Sequence, residues 1–278
     1  MFVGQGRVSE SVITLKFDRF LSPQPEHTFI YYRLTQDQHD LLALYKHHGV
    51  DTSQITVIDD QSLLQQQNIL VDVHEFGGWV YQQLLKLIAL DACDATEIII
   101  QDCDTFVIKP YTCFNNSDPV PLVIKNTSHS KEYYEYYTKF TGRTRTTSDC
   151  FVTEYMPITK SHWHTLKTTM ENIHGSTWLL AMTDQFRRDS LTTPFLWFSE
   201  YELLGNWIRH CDPGLVTVPQ IRLTVTDADF KYFSTHGNLP YDLSEYNSIC
   251  CRPQTQFKIF DIDDIVMYKY TDYINSVI

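Results

Sequence analysis

No apolar run in this chain reaches the ~18 residues that a membrane-spanning helix needs, and its first residues lack the charged-then-apolar layout of a signal peptide. The chain is therefore expected to work in solution, in the cytoplasm. Basic residues are scarce, 22 Lys and Arg against 34 Asp and Glu, and the formal net charge of -12 argues against a surface that wraps a nucleic-acid backbone. The seven cysteines are an odd number with no CxxC spacing, so neither a zinc-ligand set nor a disulfide framework is expected, and they read as reduced thiols. A glycine-rich phosphate loop is missing too, since Gly4-Gln5-Gly6 is too poor a match to one. No repeat, low-complexity linker or sharp composition break divides the chain, which predicts one domain over residues 1–278.

What is present is the composition of an ordered globular protein, 43% hydrophobic, 14% aromatic and 20% charged over 278 residues, enough to bury a full core. The pattern predicts a helix over 8–20, a turn at Ser22-Pro23-Gln24-Pro25, a β-branched and aromatic strand over 28–34, a helix over 37–47 and a strand over 55–58. A helix over 78–90 then leads to an apolar strand over 97–100, and a second strand resumes at Phe106-Val107-Ile108. Beyond Pro110 the pattern is less regular, with helices predicted over 130–140, 160–174 and 200–210. Strands alternating with helices of this length predict an α/β fold with a mostly parallel central sheet flanked by helices.

Between the two strands lies Asp102-Cys103-Asp104. Ligands of such sheets collect at the carboxyl ends of strands, and two carboxylates there suit a hard cation, Mn²⁺ or Mg²⁺, that in turn grips a diphosphate. An acidic pair alone often only solvates a loop. Here apolar strand on both sides, with Lys109-Pro110 ending the second, speaks for function.

On the preceding helix, Trp79, Gln82, Gln83 and Lys86 share one arc, while Val80, Tyr81, Leu84, Leu85, Leu87 and Ile88 fill the rest. Two amides and an ammonium suit sugar hydroxyls and phosphate oxygens. The plainer reading is a strip that meets water, and Trp79 after Gly77-Gly78 tips the choice toward a lined cleft.

Gly78-Trp79, then Gln82-Gln83-Leu84-Leu85-Lys86-Leu87, then Asp102-Cys103-Asp104-Thr105 with Lys109-Pro110, then Ser199-Glu200-Tyr201-Glu202-Leu203-Leu204-Gly205-Asn206, together resemble a family of predicted bacterial and phage nucleotide-sugar transferases of the GT-A fold. The resemblance spans roughly residues 8–210 in ordered blocks. It implies a glycosyltransferase that moves a hexosyl or pentosyl group from a nucleotide-sugar donor to an acceptor hydroxyl. Residues 1–110 form the nucleotide-sugar-binding half on this reading, and 111–278 the acceptor-side half. It assigns metal contacts to Asp102 and Asp104, donor contacts to Gln83 and Lys86 with Trp79 and Gln82 beside them, and an acceptor-side carboxylate to Glu200. A further metal ligand from a C-terminal histidine is implied as well, with His236 the best-placed candidate and His210 the second. The family normally begins with a strand and loop that help hold the base, and here only Met1-Phe2-Val3 precede the first predicted helix.

Ser199 and Glu202 have capping-box spacing, so Glu202 reads as closing the helix start, whereas Glu200 falls with Leu203, Leu204 and Trp207 on the inward face. That makes Glu200 a candidate general base. Arg143 and Arg145 read as a solvated loop rather than a phosphate clamp, and His162 and His164 carry no assigned role. The acceptor can be a saccharide, a lipid-linked intermediate, a small molecule or a hydroxymethylated base in phage DNA, the last disfavoured by the acidic balance. Two other classes stand beside this one: a nucleotide-sugar hydrolase or nucleotidyltransferase using the same metal site, and a non-catalytic carbohydrate-binding protein.

Overall fold

The computed structural model describes residues 2–3, 11, 14–15, 21–22, 25–32, 38–67, 75–114, 122–124, 131–193, 196–251, 272–274 and 276. In the first part of the chain the elements are β1 (Phe2–Val3), β2 (Leu21–Ser22), β3 (Thr28–Tyr32), α1 (Gln38–His47), β4 (Ile55–Asp59), α2 (Asp60–Gln66) and α3 (Gly77–Ala92). Then follow β5 (Glu97–Gln101), β6 (Thr105–Val107), β7 (Tyr111–Thr112), β8 (Leu122–Ile124), α4 (Lys131–Thr141), β9 (Tyr155–Thr159), α5 (Lys160–His174) and α6 (Trp178–Ser190). The last part holds α7 (Glu200–Cys211), β10 (Thr217–Pro219), β11 (Arg222–Val225), α8 (Asp227–His236) and β12 (Ser248–Cys251). Of the helix predicted over 8–20, Ser11, Thr14 and Leu15 are helical and the rest lies outside the described residues, as do Pro23 and Gln24 of the predicted turn.

The protein is α/β, and parallel pairing dominates as expected: β1 with β3, β3 with β4, β2 with β7, β8 with β10 and β11 with β12 are parallel, while β6 with β12 is antiparallel. The described strands pair in sets of two and three instead of one broad sheet. Within the fold the residues group into two compact units, one of residues 1–61, 101–113 and 220–278, the other of residues 62–100 and 114–219.

The first unit is built on β3, α1 and β4. Parallel neighbours need a crossover, and α1 supplies it. Its Leu41 and Tyr45, one turn apart on a single face, pack with Ile30 of β3 and Val57 of β4. Phe2 and Val3 pair in parallel with Tyr31 and Tyr32, so a strand does precede the first helical residues. A second core gathers Phe106, Ile108, Val225, Phe233 and Ile249 around β6, β11 and β12.

In the second unit α3 buries ten side chains, from Val80 through Leu90. Its C-terminal carbonyls are closed by the ammonium of Lys160, which donates to the carbonyls of Leu90 at 3.0 Å and Asp91 at 2.8 Å. Helix α5 spans the predicted range because its ends are encoded locally: Thr159 accepts from the His162 amide at the start, and Gly175 takes a left-handed φ of 65° at the end. Asp91 ties α3 to α5 and α6. Its carboxylate accepts from the indoles of Trp163 at 2.8 Å and Trp178 at 3.3 Å, and from Lys167. Burial pushes its pKa up, and the indole and ammonium donors outweigh that, leaving it below the usual carboxylate value.

Candidate functional site

β5 ends at Gln101 and β6 begins at Thr105, so Asp102-Cys103-Asp104, in the first unit, is the whole connection. The Gln101 amide donates to the Thr105 carbonyl at 3.1 Å and ties its two ends. Cys103 is buried in the core of Ile30, Leu41, Tyr45 and Val57, and its carbonyl accepts from the Thr14 hydroxyl at 2.7 Å. An anchored middle residue leaves the flanking aspartates half-buried on a rigid turn, with the Thr105 hydroxyl 3.5 Å from Asp104 Oδ1. Paired oxygen donors of this kind fit a hard cation that takes its remaining ligands from phosphate and water.

His236 does not join them. Among the described residues no group of three or more His, Cys, Asp or Glu side chains is gathered to hold an ion. It is the last residue of α8, not part of a loop, because Gly237 supplies the left-handed C-cap with a φ of 75°. Its ring lies exposed and stacked on Tyr232, centroids 4.1 Å apart, and Nδ1 is 3.0 Å from the Tyr232 carbonyl.

In the second unit, the strip of four residues on α3 splits. Trp79 is exposed and Gln82 half-buried, while Gln83 and Lys86 are buried beneath α7. The Lys86 ammonium donates to Glu200 Oε1 at 2.6 Å and lies 4.6 Å over the Tyr201 ring. With its amide nitrogen turned to the carboxylate, Gln83 donates to both Glu200 oxygens. Groups expected on separate donor and acceptor sides are thus joined in one buried network. The helical wheel groups these four residues on one arc, but it cannot say which part of that arc another helix covers.

Glu202 departs from the expected capping role. Ser199 does cap α7, its hydroxyl accepting from the Glu202 amide. The Glu202 carboxylate reaches elsewhere, accepting from the Phe151 amide at 2.9 Å and the Asn206 side chain at 3.0 Å. Burial pushes its pKa up, and donors from Phe151, Cys150 and Asn206 with the positive charge of Arg145 only partly offset that. Behind it, a Cβ on Gly205 would fall inside the Phe151 side chain, so only glycine lets these two segments meet.

Other weighed residues fall as follows. Arg145 lies with its guanidinium carbon 3.5 Å from the Tyr134 ring centroid and donates to the Asp149 carbonyl, while Arg143 is exposed. His162 bonds Thr159 and Asp212. The predictions missed Asp91, the buried Glu154 with its φ of 65°, and Trp197. Trp197 is exposed, and Tyr133 meets it edge-on at 5.7 Å. An aromatic residue three positions before the predicted helix start was the available signal for it.

The elements and residues described define an α/β protein with an acidic turn between two short strands. The chain belongs to a family of unknown function, DUF6492, whose model matches residues 9–217. No curated protein matches it. Among solved structures it is similar to the galactosyltransferase LgtC in complex with donor and acceptor sugar analogues, at 9% identity and a TM-score of 0.48, covering 99% of this chain and 94% of that one. An active-site mutant of LgtC matches at 10% identity and a TM-score of 0.48, with the same coverage. Mouse xyloside xylosyltransferase 1, in its apo form, matches at 11% identity and a TM-score of 0.46, covering 90% of this chain and 95% of that one. No helix among the described residues is long and apolar enough to cross a membrane.

Proposed function

We propose that the protein is a metal-dependent glycosyltransferase of the GT-A type that moves a sugar from a nucleotide-sugar donor to an acceptor hydroxyl. The observation that carries this reading is the Asp102-Cys103-Asp104 turn, fixed by the buried Cys103 and by the Gln101 tie to Thr105. The ordered sequence blocks around it support the same reading. Asp102 and Asp104 hold Mn²⁺ or Mg²⁺ in this proposal. When bound, the cation neutralises charge on the departing diphosphate.

Trp79 and Gln82, the open members of the α3 strip, contact ligand. Gln83 and Lys86, expected at the donor, act by holding Glu200. Glu200 has no exposed surface, and its oxygens are taken by those two side chains. Its proposed role is therefore to position the first turn of α7, in place of the general-base role its helical face suggested.

The test is a panel of nucleotide sugars with Mn²⁺, monitored for nucleoside diphosphate with and without hydroxyl-bearing acceptors. Acceptor-dependent release, lost in the Asp102→Ala/Asp104→Ala double variant, is the expected result. Release of a monophosphate instead points to pyrophosphate cleavage, and failure to bind any nucleotide sugar points to a non-catalytic carbohydrate-binding protein. Transfer and manganese dependence that survive both substitutions sink the proposal.

A further inference from the structure

Trp163, Trp178 and Trp207 are 1%, 4% and 3% exposed, as large indoles in a packed unit should be, whereas Trp79 is 39% exposed and Trp197 41%. The two open indoles belong to one place. Trp79 Nε1 donates to the carbonyl of Phe198, the neighbour of Trp197, at 2.8 Å, and Tyr133 of α4 meets Trp197 edge-on.

The floor beneath them is rigid. Phe198 packs against Phe186 at 5.2 Å, Tyr136 at 5.8 Å and Phe140 at 6.0 Å, and Phe76, which precedes α3, joins through Phe186 at 5.7 Å. A hydrogen-bonded indole and a segment seated on four buried rings lose little freedom when a ligand arrives. Exposed, immobilised aromatic faces of this size mark a binding surface more often than they occur by chance.

The chemistry around them selects the occupant. Glu132 and Glu135 are exposed on α4 beside Tyr133, while Glu75, shortly before Trp79, is held by the Arg187 guanidinium at 2.9 Å. Carboxylates accept from hydroxyl groups, and indole faces suit the apolar C–H face of a sugar ring. A nucleic-acid strand also stacks on aromatic rings but needs a basic groove to follow its phosphates, and the net charge of -12 opposes that.

We propose that Trp79, Trp197 and Tyr133 form a ledge on which a neutral saccharide stacks, and that the acceptor of the proposed transfer is therefore a glycan. Trp79 then serves the acceptor in place of the donor contact expected from the sequence. This inference rests on the glycosyltransferase reading above.

The test applies the full-length chain, fluorescently labelled, to an array of defined neutral oligosaccharides, with a single-stranded oligodeoxynucleotide as the competing probe. Binding to a subset of neutral glycans is expected. Trp197→Ala should weaken it about tenfold, the scale of losing one stacked ring, and Trp197→Phe should recover part of it. Unfolding midpoints of the variants are compared with the parent, and if the alanine form fails to fold, Trp197→Leu against Trp197→Phe gives the same contrast. A blank array, glycan binding indifferent to the ring at 197, or preference for the oligodeoxynucleotide each overturns the ledge. Equilibrium binding of the nucleotide-sugar panel in Mn²⁺ is measured on the same preparation. Donor binding with a blank array removes the ledge and keeps the transferase reading, and absence of donor binding removes the reading itself.

Discussion

Lys86 Nζ and Glu200 Oε1 lie 2.6 Å apart with their side chains 4% and 0% exposed, so α3 and α7 are joined by an ion pair shut away from water. Removing one partner strands the other charge, which typically costs about 3–5 kcal/mol, whereas replacing both with apolar groups is often neutral. Lys86→Met and Glu200→Gln should each lower the urea midpoint, and Lys86→Met/Glu200→Leu should lose less than the two single losses added together. The same experiment separates positioning from proton transfer. If Glu200 only positions α7, Glu200→Gln lowers turnover while the acidic limb of the pH–rate profile stays where it was. Disappearance of that limb restores the general-base role.

How this pair escaped the sequence is physical. A wheel drawn on α3 or α7 reports only a face, and the partners are 114 residues apart, so only tertiary packing chooses them. What was legible is local. Thr159 and Gly175 bracket α5, and the apolar run ending at Gln101 announces β5. Less legible were β9, β11 and β12. Tyr155-Met156-Pro157-Ile158 is buried at every position, so no alternation appears, and Pro157 argues against a strand. Helix α6 was missed although Trp178, Met182 and Phe186 recur every four residues and Thr177 caps its start. The Asp-x-Asp turn was placed from its flanking strands, whereas the inward anchor at Cys103 depends on core residues from β3, α1 and β4.

The buried carboxyl of Glu202 makes stability depend on pH. Burial raises its folded-state pKa above the ordinary 4.5, so between that value and the raised one the folded protein holds a proton that the unfolded chain has released. Stability from this group is present below pH 4.5 and falls as pH rises through the folded pKa. Glutamine imitates the protonated acid and cannot ionise. The urea midpoint of Glu202→Gln relative to the parent should therefore improve as pH rises above 4.5 and level off once the pH has passed the raised folded-state pKa. A difference that stays flat or narrows shows that the Phe151 and Asn206 donors hold the carboxylate charged in both states.

Gly205 has no room for a side chain, because a methyl there would occupy space that Phe151 already fills. In an exposed helix, alanine for glycine stabilises by about 1 kcal/mol through backbone propensity alone. Here overpacking works against that gain, and forced shifts of this kind cost about 1–3 kcal/mol. Gly205→Ala should lower the unfolding midpoint, and Phe151→Ala, harmful alone because it empties a buried site, should become less harmful in its presence. The double-mutant cycle reads this as a coupling between helix α7 and the segment that supplies the Glu202 amide donor. A coupling indistinguishable from zero means that the backbone of 150–154 moves freely away from the helix, and the Glu202 contact with Phe151 should then be lost in Gly205→Ala as well.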